Sequence, residues 1–193
     1  MKKTPRATFK ANEVELITGI SVDVQKAWNK HIAKYELPRL GEGDGHRRYS
    51  WIDVCFLRLV DRLKARGLSL YDALYVALDQ SREDLLRTFA TLVVGLPTDS
   101  DVFLYVGFDG GAENSTKSVV SCRIDPDKGH VLGGGSLSVD DFIRDRFESF
   151  VAINLTLMTA NLIGEIELGS ENLDHLDDMK QFFELALDKA AGK

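Results

Sequence analysis

Along the first eighty positions the apolar residues fall into short blocks at helical spacing, each bracketed by a capping residue and a glycine. The first block covers residues 12–18. Asn12 fits its N-cap, Glu13 and Glu15 lie in its first turn, and Gly19 ends it as a glycine in the left-handed conformation would. Ser21 opens a second helix with Asp23 at its positive end. Its apolar stripe is Val24, Ala27, Trp28 and Ile32, with Lys26, Asn29 and Lys30 on the other side and Trp28 expected to clamp it to the next helix. Pro38 breaks the pattern, and Gly41, Gly43 and Gly45 predict a tight turn between two short arms, Arg39-Leu40 and Arg48-Tyr49. Ser50 and Asp53 form a capping box for a third helix with the face Ile52, Phe56, Leu59, Val60 and Leu63. Arg58, Arg62 and Arg66 project elsewhere, as a solvated face or a DNA contact. Gly67 stops this helix. Ser69 and Asp72 repeat the box before a fourth stripe of Leu70, Ala73, Leu74, Ala77 and Leu78.

The pattern changes after a further helix at 81–95 and a linker carrying Gly95 and Pro97. Residues 102–108 and 118–124 are rich in branched and aromatic side chains and predict strands, with a polar loop between them and a glycine-weakened third strand at 130–132. Ser138 and Asp141 open a helix expected to run to about 166. The Val, Ile and Thr content of 151–158 leaves a strand open there. A last helix is expected at 173–187. The fold class that follows is α+β. A mainly helical unit at 1–80 is joined by a helix and linker at 81–99 to a unit at 100–193, which has a small antiparallel sheet and two or more helices.

Charge divides along the same line. The chain of 193 residues carries a net −6, yet residues 1–80 hold 14 Lys and Arg against 10 Asp and Glu, and the remainder 10 against 20. A basic module joined to an acidic one points to a polyanionic partner for the first. Cys55 and Cys122 have no paired ligand spacing, and Cys55 lies in an apolar helical run. Two lone thiols without a secretory signal predict a reducing cytoplasm, and no apolar window reaches the length of a membrane span. Zinc spacing is absent. Gly133-Gly134-Gly135 lacks the lysine of a phosphate loop, and the acids around His175 read as a solvated helix start. No catalytic residue, metal or cofactor is expected, and the chain does not read as an enzyme.

Five strings carry a likeness: Gly19-Ile20-Ser21, Val24-Gln25-Lys26-Ala27-Trp28, Leu37-Pro38-Arg39, His46-Arg47-Arg48-Tyr49-Ser50 and Ile52-Asp53-Val54. With Gly67-Leu68-Ser69-Leu70 they resemble, in order and spacing, the winged helix-turn-helix domain of MerR-family transcription regulators and related excisionases, over about two fifths of the chain. Gln25 and Lys26 stand where that family has an apolar residue and an arginine, and 31–36 is longer than its usual turn. The resemblance implies that Asp23, Lys26, Asn29 and Lys30 belong to a helix presented to the major groove. It assigns Arg39, His46, Arg47, Arg48 and Tyr49 to a wing on the flanking backbone. A helix fits that groove, and arginines on a hairpin neutralise phosphates.

The function expected is sequence-specific binding of double-stranded DNA by a cytoplasmic transcription regulator acting as a homodimer. A small-molecule effector is left open. The stripes at 142–166 and 173–187 are candidates for the dimer contact or for packing on the sheet. Two alternatives stand beside it: a phage-type excisionase or small terminase subunit that organises DNA, and a protein-interaction adaptor whose winged helix does not bind DNA. Gln25 and the overall acidity favour the adaptor.

Overall fold

Ser21, Ser50 and Ser69 each open a helix in the computed structural model of the chain, which describes residues 9–43, 46–94, 101–108, 117–124 and 149–169. The fold is α+β. Strand β1 (Phe9–Lys10) leads directly into helix α1 (Ala11–Thr18), and α2 (Val22–Lys34) follows a short turn. Strand β2 (Arg48–Tyr49) precedes α3 (Trp51–Ala65), and α4 (Leu70–Tyr75) runs through a π turn (Val76–Gln80) towards α5 (Arg82–Val94). The remaining described elements are β3 (Asp101–Phe108), β4 (Lys117–Ile124), β5 (Ser149–Asn154) and α6 (Leu155–Gly169). The expected strand at 130–132, the helix start at 138, the final helix at 173–187 and the linker at 95–100 lie outside the described residues.

Local capping chemistry decides most boundaries. Ser50 Oγ accepts from the Asp53 N–H at 3.2 Å while the Asp53 carboxylate accepts from the Ser50 N–H at 2.8 Å. Ser69 Oγ accepts from the Asp72 N–H in the same way. Gly19 ends α1 at φ 74° with its N–H on the Glu15 carbonyl. The start of α1 departs from expectation: the cap is Lys10, not Asn12. Phe9 and Lys10 pair with Tyr49 and Arg48 as a strand, which holds the chain extended up to Ala11. The Glu13 carboxylate then accepts the Lys10 N–H at 2.6 Å. The fourth helix is also interrupted. The Ser81 N–H and hydroxyl both bond the Val76 carbonyl, which widens one turn to π geometry.

The stripe expected on α2 is corrected at three positions. Val24 and Ala27 are exposed, and Gln25 is fully buried. The inward face is Gln25, Trp28 and Ile32, a spacing of three and four. Trp28 is core, and the Lys64 ammonium of α3 lies 5.4 Å from its ring centre. Helix α3 buries eight residues, Cys55 among them, and burial drives that thiol pKa upward.

The second sheet runs β4-β3-β5, antiparallel throughout, with Leu104 opposite Ile153 and Val106 opposite Val151. The helix expected to run to about 166, with a strand left open over 151–158, therefore divides: Ser149–Asn154 is strand and Leu155–Gly169 is helix. Asn154 makes the switch, because its Oδ1 caps α6 by accepting the Leu157 N–H at 2.8 Å. Helix α6 then packs on β3, α5 and α1. Its buried Leu155, Leu162 and Ile166 join one apolar core that reaches back to Phe9 and Trp51. That part of the 142–166 stripe is thus spent within the chain, on the sheet-packing side of the two alternatives. Among the described residues no helix is long and apolar enough to cross a membrane.

Candidate nucleic-acid interface

Helix α2 turns a cationic face outwards because its inward face is fixed by bonds as well as by apolar contact. Gln25 Nε2 donates to the Ala11 carbonyl at 3.0 Å and to the Ile20 carbonyl at 2.8 Å. These bonds tie α2 to the start of α1 and to the turn between them. Gln25 is therefore part of the scaffold and says nothing about the outer surface, so its weight in favour of an adaptor falls away. With Gln25 inside, the period of the helix sets Asp23, Lys26 and Lys30 outside. Lys26 Nζ lies 3.2 Å from the Asp23 carboxylate, with both side chains well exposed.

The segment expected as a wing is closed by Glu42 and Arg48, whose backbones exchange N–H···O bonds of 2.7 and 2.9 Å. The expected arm Arg39-Leu40 is displaced by two residues, because Leu40 turns into the core while Glu42 makes the pairing. On the outer side of the hairpin, β2 pairs with β1. Residues 1–8 lie outside the described residues, and the strand that follows them pairs with the hairpin. Gly41 permits the turn. It sits at φ +73°, and a Cβ there would lie 2.8 Å from both Arg47 Cγ and the Arg48 carbonyl oxygen. The Asp53 carboxylate also accepts from the Gly41 backbone, which ties the wing to the cap of α3. Burial raises the Asp53 pKa, and the hydrogen bonds from Ser50 and Gly41 work against that rise.

Helix and wing meet at Asn29, Arg47 and Tyr49. Asn29 Nδ2 donates to the Gln25 carbonyl at 3.0 Å and to the Tyr49 hydroxyl at 3.1 Å, while its Oδ1 accepts from Arg47 at 2.5 Å. Arg47 also donates to the Leu40 carbonyl at 3.0 Å. Tyr49 is 2% exposed. Burial pushes its pKa up, against the Asn29 hydrogen bond and the Arg47 charge, which pull it down. The nine residues marked in the sequence thus separate by position. Lys26, Lys30, Asp23, Arg39, His46 and Arg48 are exposed on the helix or the wing. Asn29 and Arg47 are half-buried at the joint, and Tyr49 is inside it.

Arg58, expected on an outer face, is instead turned inward. Its guanidinium donates to the Ile17 and Thr18 carbonyls at the end of α1, at 3.1 and 3.2 Å, and pairs with Glu165 of α6. Among the described residues no group of His, Cys, Asp and Glu is arranged to hold a metal ion. No protein-family model matches this sequence, and no curated protein matches it.

Proposed function

We propose that the chain is a double-stranded DNA-binding regulator of MerR-like type that works in the cytoplasm as a homodimer and is not an enzyme. One observation carries this reading: Asn29 of α2 is hydrogen-bonded to both Arg47 and Tyr49, which joins the helix bearing exposed Lys26 and Lys30 to the hairpin bearing exposed Arg39, His46 and Arg48. An α-helix fills the major groove, and Lys26 and Lys30 on its outer face suit base edges or phosphates. Arg39, Arg48 and His46 flank it on the hairpin, where cations neutralise the backbone and release counterions. Asn29, Arg47 and Tyr49 serve by holding wing against helix. A single winged helix covers few base pairs, and a dimer spanning two half-sites gains affinity and specificity.

The test is binding of the purified protein to random duplex at several salt concentrations, beside Lys26→Ala/Lys30→Ala. These side chains lie outside the core, so the double variant should melt as the parent does. Affinity should fall steeply with salt, and the slope should drop by about one unit for each phosphate contact removed. Binding that is absent at low salt, or indifferent to the double substitution, would remove the proposal. Selection of bound sequences then distinguishes an operator-reading regulator from a DNA-organising protein.

A further inference from the structure

Arg58, Arg62 and Arg66 recur every four residues on α3, so the three guanidiniums share one face and span about 12 Å along the helix. That face forms one wall of a cleft of about 640 Å³, whose other wall is β5 and α6. Arg58 is committed: two backbone carbonyls and Glu165 take its donors. Arg62 and Arg66 have no carboxylate partner among the described residues and are exposed on the cleft. Arg66 also caps the C-terminal end of α3, where the helix dipole favours a cation.

The facing wall is mostly apolar. Leu157 is 57% exposed although it is a leucine on a well-packed helix, and Met158 and Ala152 lie beside it on the lining. Glu165 is the acid on this wall, and Arg58 neutralises it. Asp101 is turned to the Asn154 amide at 2.8 Å. Asn161 adds an uncharged amide. The size lies within the range of small-molecule sites, and the cleft sets three arginines against a largely apolar wall.

We propose that this cleft binds an amphipathic organic anion, with Arg62 and Arg66 holding the acid group and Leu157, Met158 and Ala152 covering the apolar body. Forked guanidiniums suit a carboxylate or a phosphate, and a pair of them suits a bidentate acid. The exposed apolar wall gains by being covered. The site stands on this geometry whether or not the chain binds DNA.

Calorimetric titration of the whole chain tests it, with decanoate below its micelle concentration as the probe. Decyltrimethylammonium matches the tail with the opposite charge, and inorganic phosphate supplies the charge without a tail. Decanoate should bind saturably at one site, and Arg62→Gln/Arg66→Gln should weaken it roughly tenfold or more. The cation should show no saturable binding. Leu157→Asn should weaken decanoate and leave any phosphate binding unchanged. Thermal melting checks that both variants fold. Failure of decanoate to saturate, equal binding of the cation, or unchanged binding by the arginine double variant would each overturn the proposal. If that variant does not fold, the cation and Leu157→Asn decide alone.

Discussion

The helix–wing joint and the joint between α3 and α6 use one device, an arginine turned inward onto backbone carbonyls, and they leave different surfaces beside it. At the first, Arg47 bonds the Leu40 carbonyl and Asn29, and Lys26, Lys30, Arg39, His46 and Arg48 are exposed on the helix and hairpin. At the second, Arg58 bonds the Ile17 and Thr18 carbonyls and meets Glu165, and the neighbouring arginines face a cleft with an apolar far wall. Arg47 and Arg58 are structural because backbone carbonyls lie within their reach. The helix–hairpin surface is the one proposed to meet an extended polyanion, and the cleft the one proposed for a compact anion with a tail.

The helix–wing joint is most sensitive at Gly41. Gly41→Ala places a Cβ against the Arg48 carbonyl and the Arg47 stem at positive φ, and should cost about 3 kcal/mol in urea unfolding. Gly19→Ala is the control. It has a similar φ of +74° but open space around the new atom, so about 1 kcal/mol is expected. Equal losses would show that the wing hairpin yields freely, and the joint would then not fix the wing at all.

Arg58→Met probes the other joint and should cost about 2 kcal/mol, because two carbonyls at the end of α1 lose their donor. Glu165→Gln should cost well under 1 kcal/mol, since the Glu165 side chain is about half exposed and its ion pair is screened. If Glu165→Gln proved as costly as Arg58→Met, the ion pair rather than the carbonyls would hold α6 to the helical module.

The two joints also differ in how far the sequence reveals them. The box at Ser50–Asp53 and the Ser69 cap are legible because a cap is a contact between residues three apart. The cationic face of α2 is legible from helical period. The burial of Gln25 is not, because it depends on the Ala11 and Ile20 carbonyls, which only the fold brings to it. Strand β1 has two residues, too few to show a period, and exists because Arg48 and Tyr49 offer an edge. Asn154 is a readable signal: an Asn ahead of a helical stretch is a cap, and it marks the change from strand to helix. Arg58 looked like Arg62 and Arg66 because spacing alone carries no record of which carbonyls lie opposite.

Alkaline pH should loosen the helix–wing joint selectively. The folded protein raises the Tyr49 pKa above its ordinary value of about 10 by burying the neutral phenol. The folded state therefore holds this proton more tightly than the unfolded state. The stability that this gives is fully present below pH ~10 and is lost as pH rises from there through the folded-state value. Urea midpoints for the parent should fall more steeply with pH above about 10 than those of Tyr49→Phe, which has no proton to lose. Parallel profiles would mean that Tyr49 is solvated in the native state, and the joint would lose its buried centre.

The smallest effect expected lies at the end of α2, the element that carries one surface and not the other. Glu36 is an exposed residue at φ +56°, after which the Leu37 N–H closes on the Ile32 carbonyl. A left-handed residue at this position is ordinarily glycine, since a side chain there meets the neighbouring carbonyl. Glu36→Gly should therefore raise stability by about 0.5 kcal/mol, after the larger chain entropy of glycine in the unfolded state is set against the relieved strain. The change removes one negative charge near Lys34 and Arg39, so duplex affinity at low salt should rise slightly as well. Affinity for decanoate at the cleft should stay as it is. A matching change there would mean that the two anion-facing surfaces sense one field, and they would have to be treated as a single site.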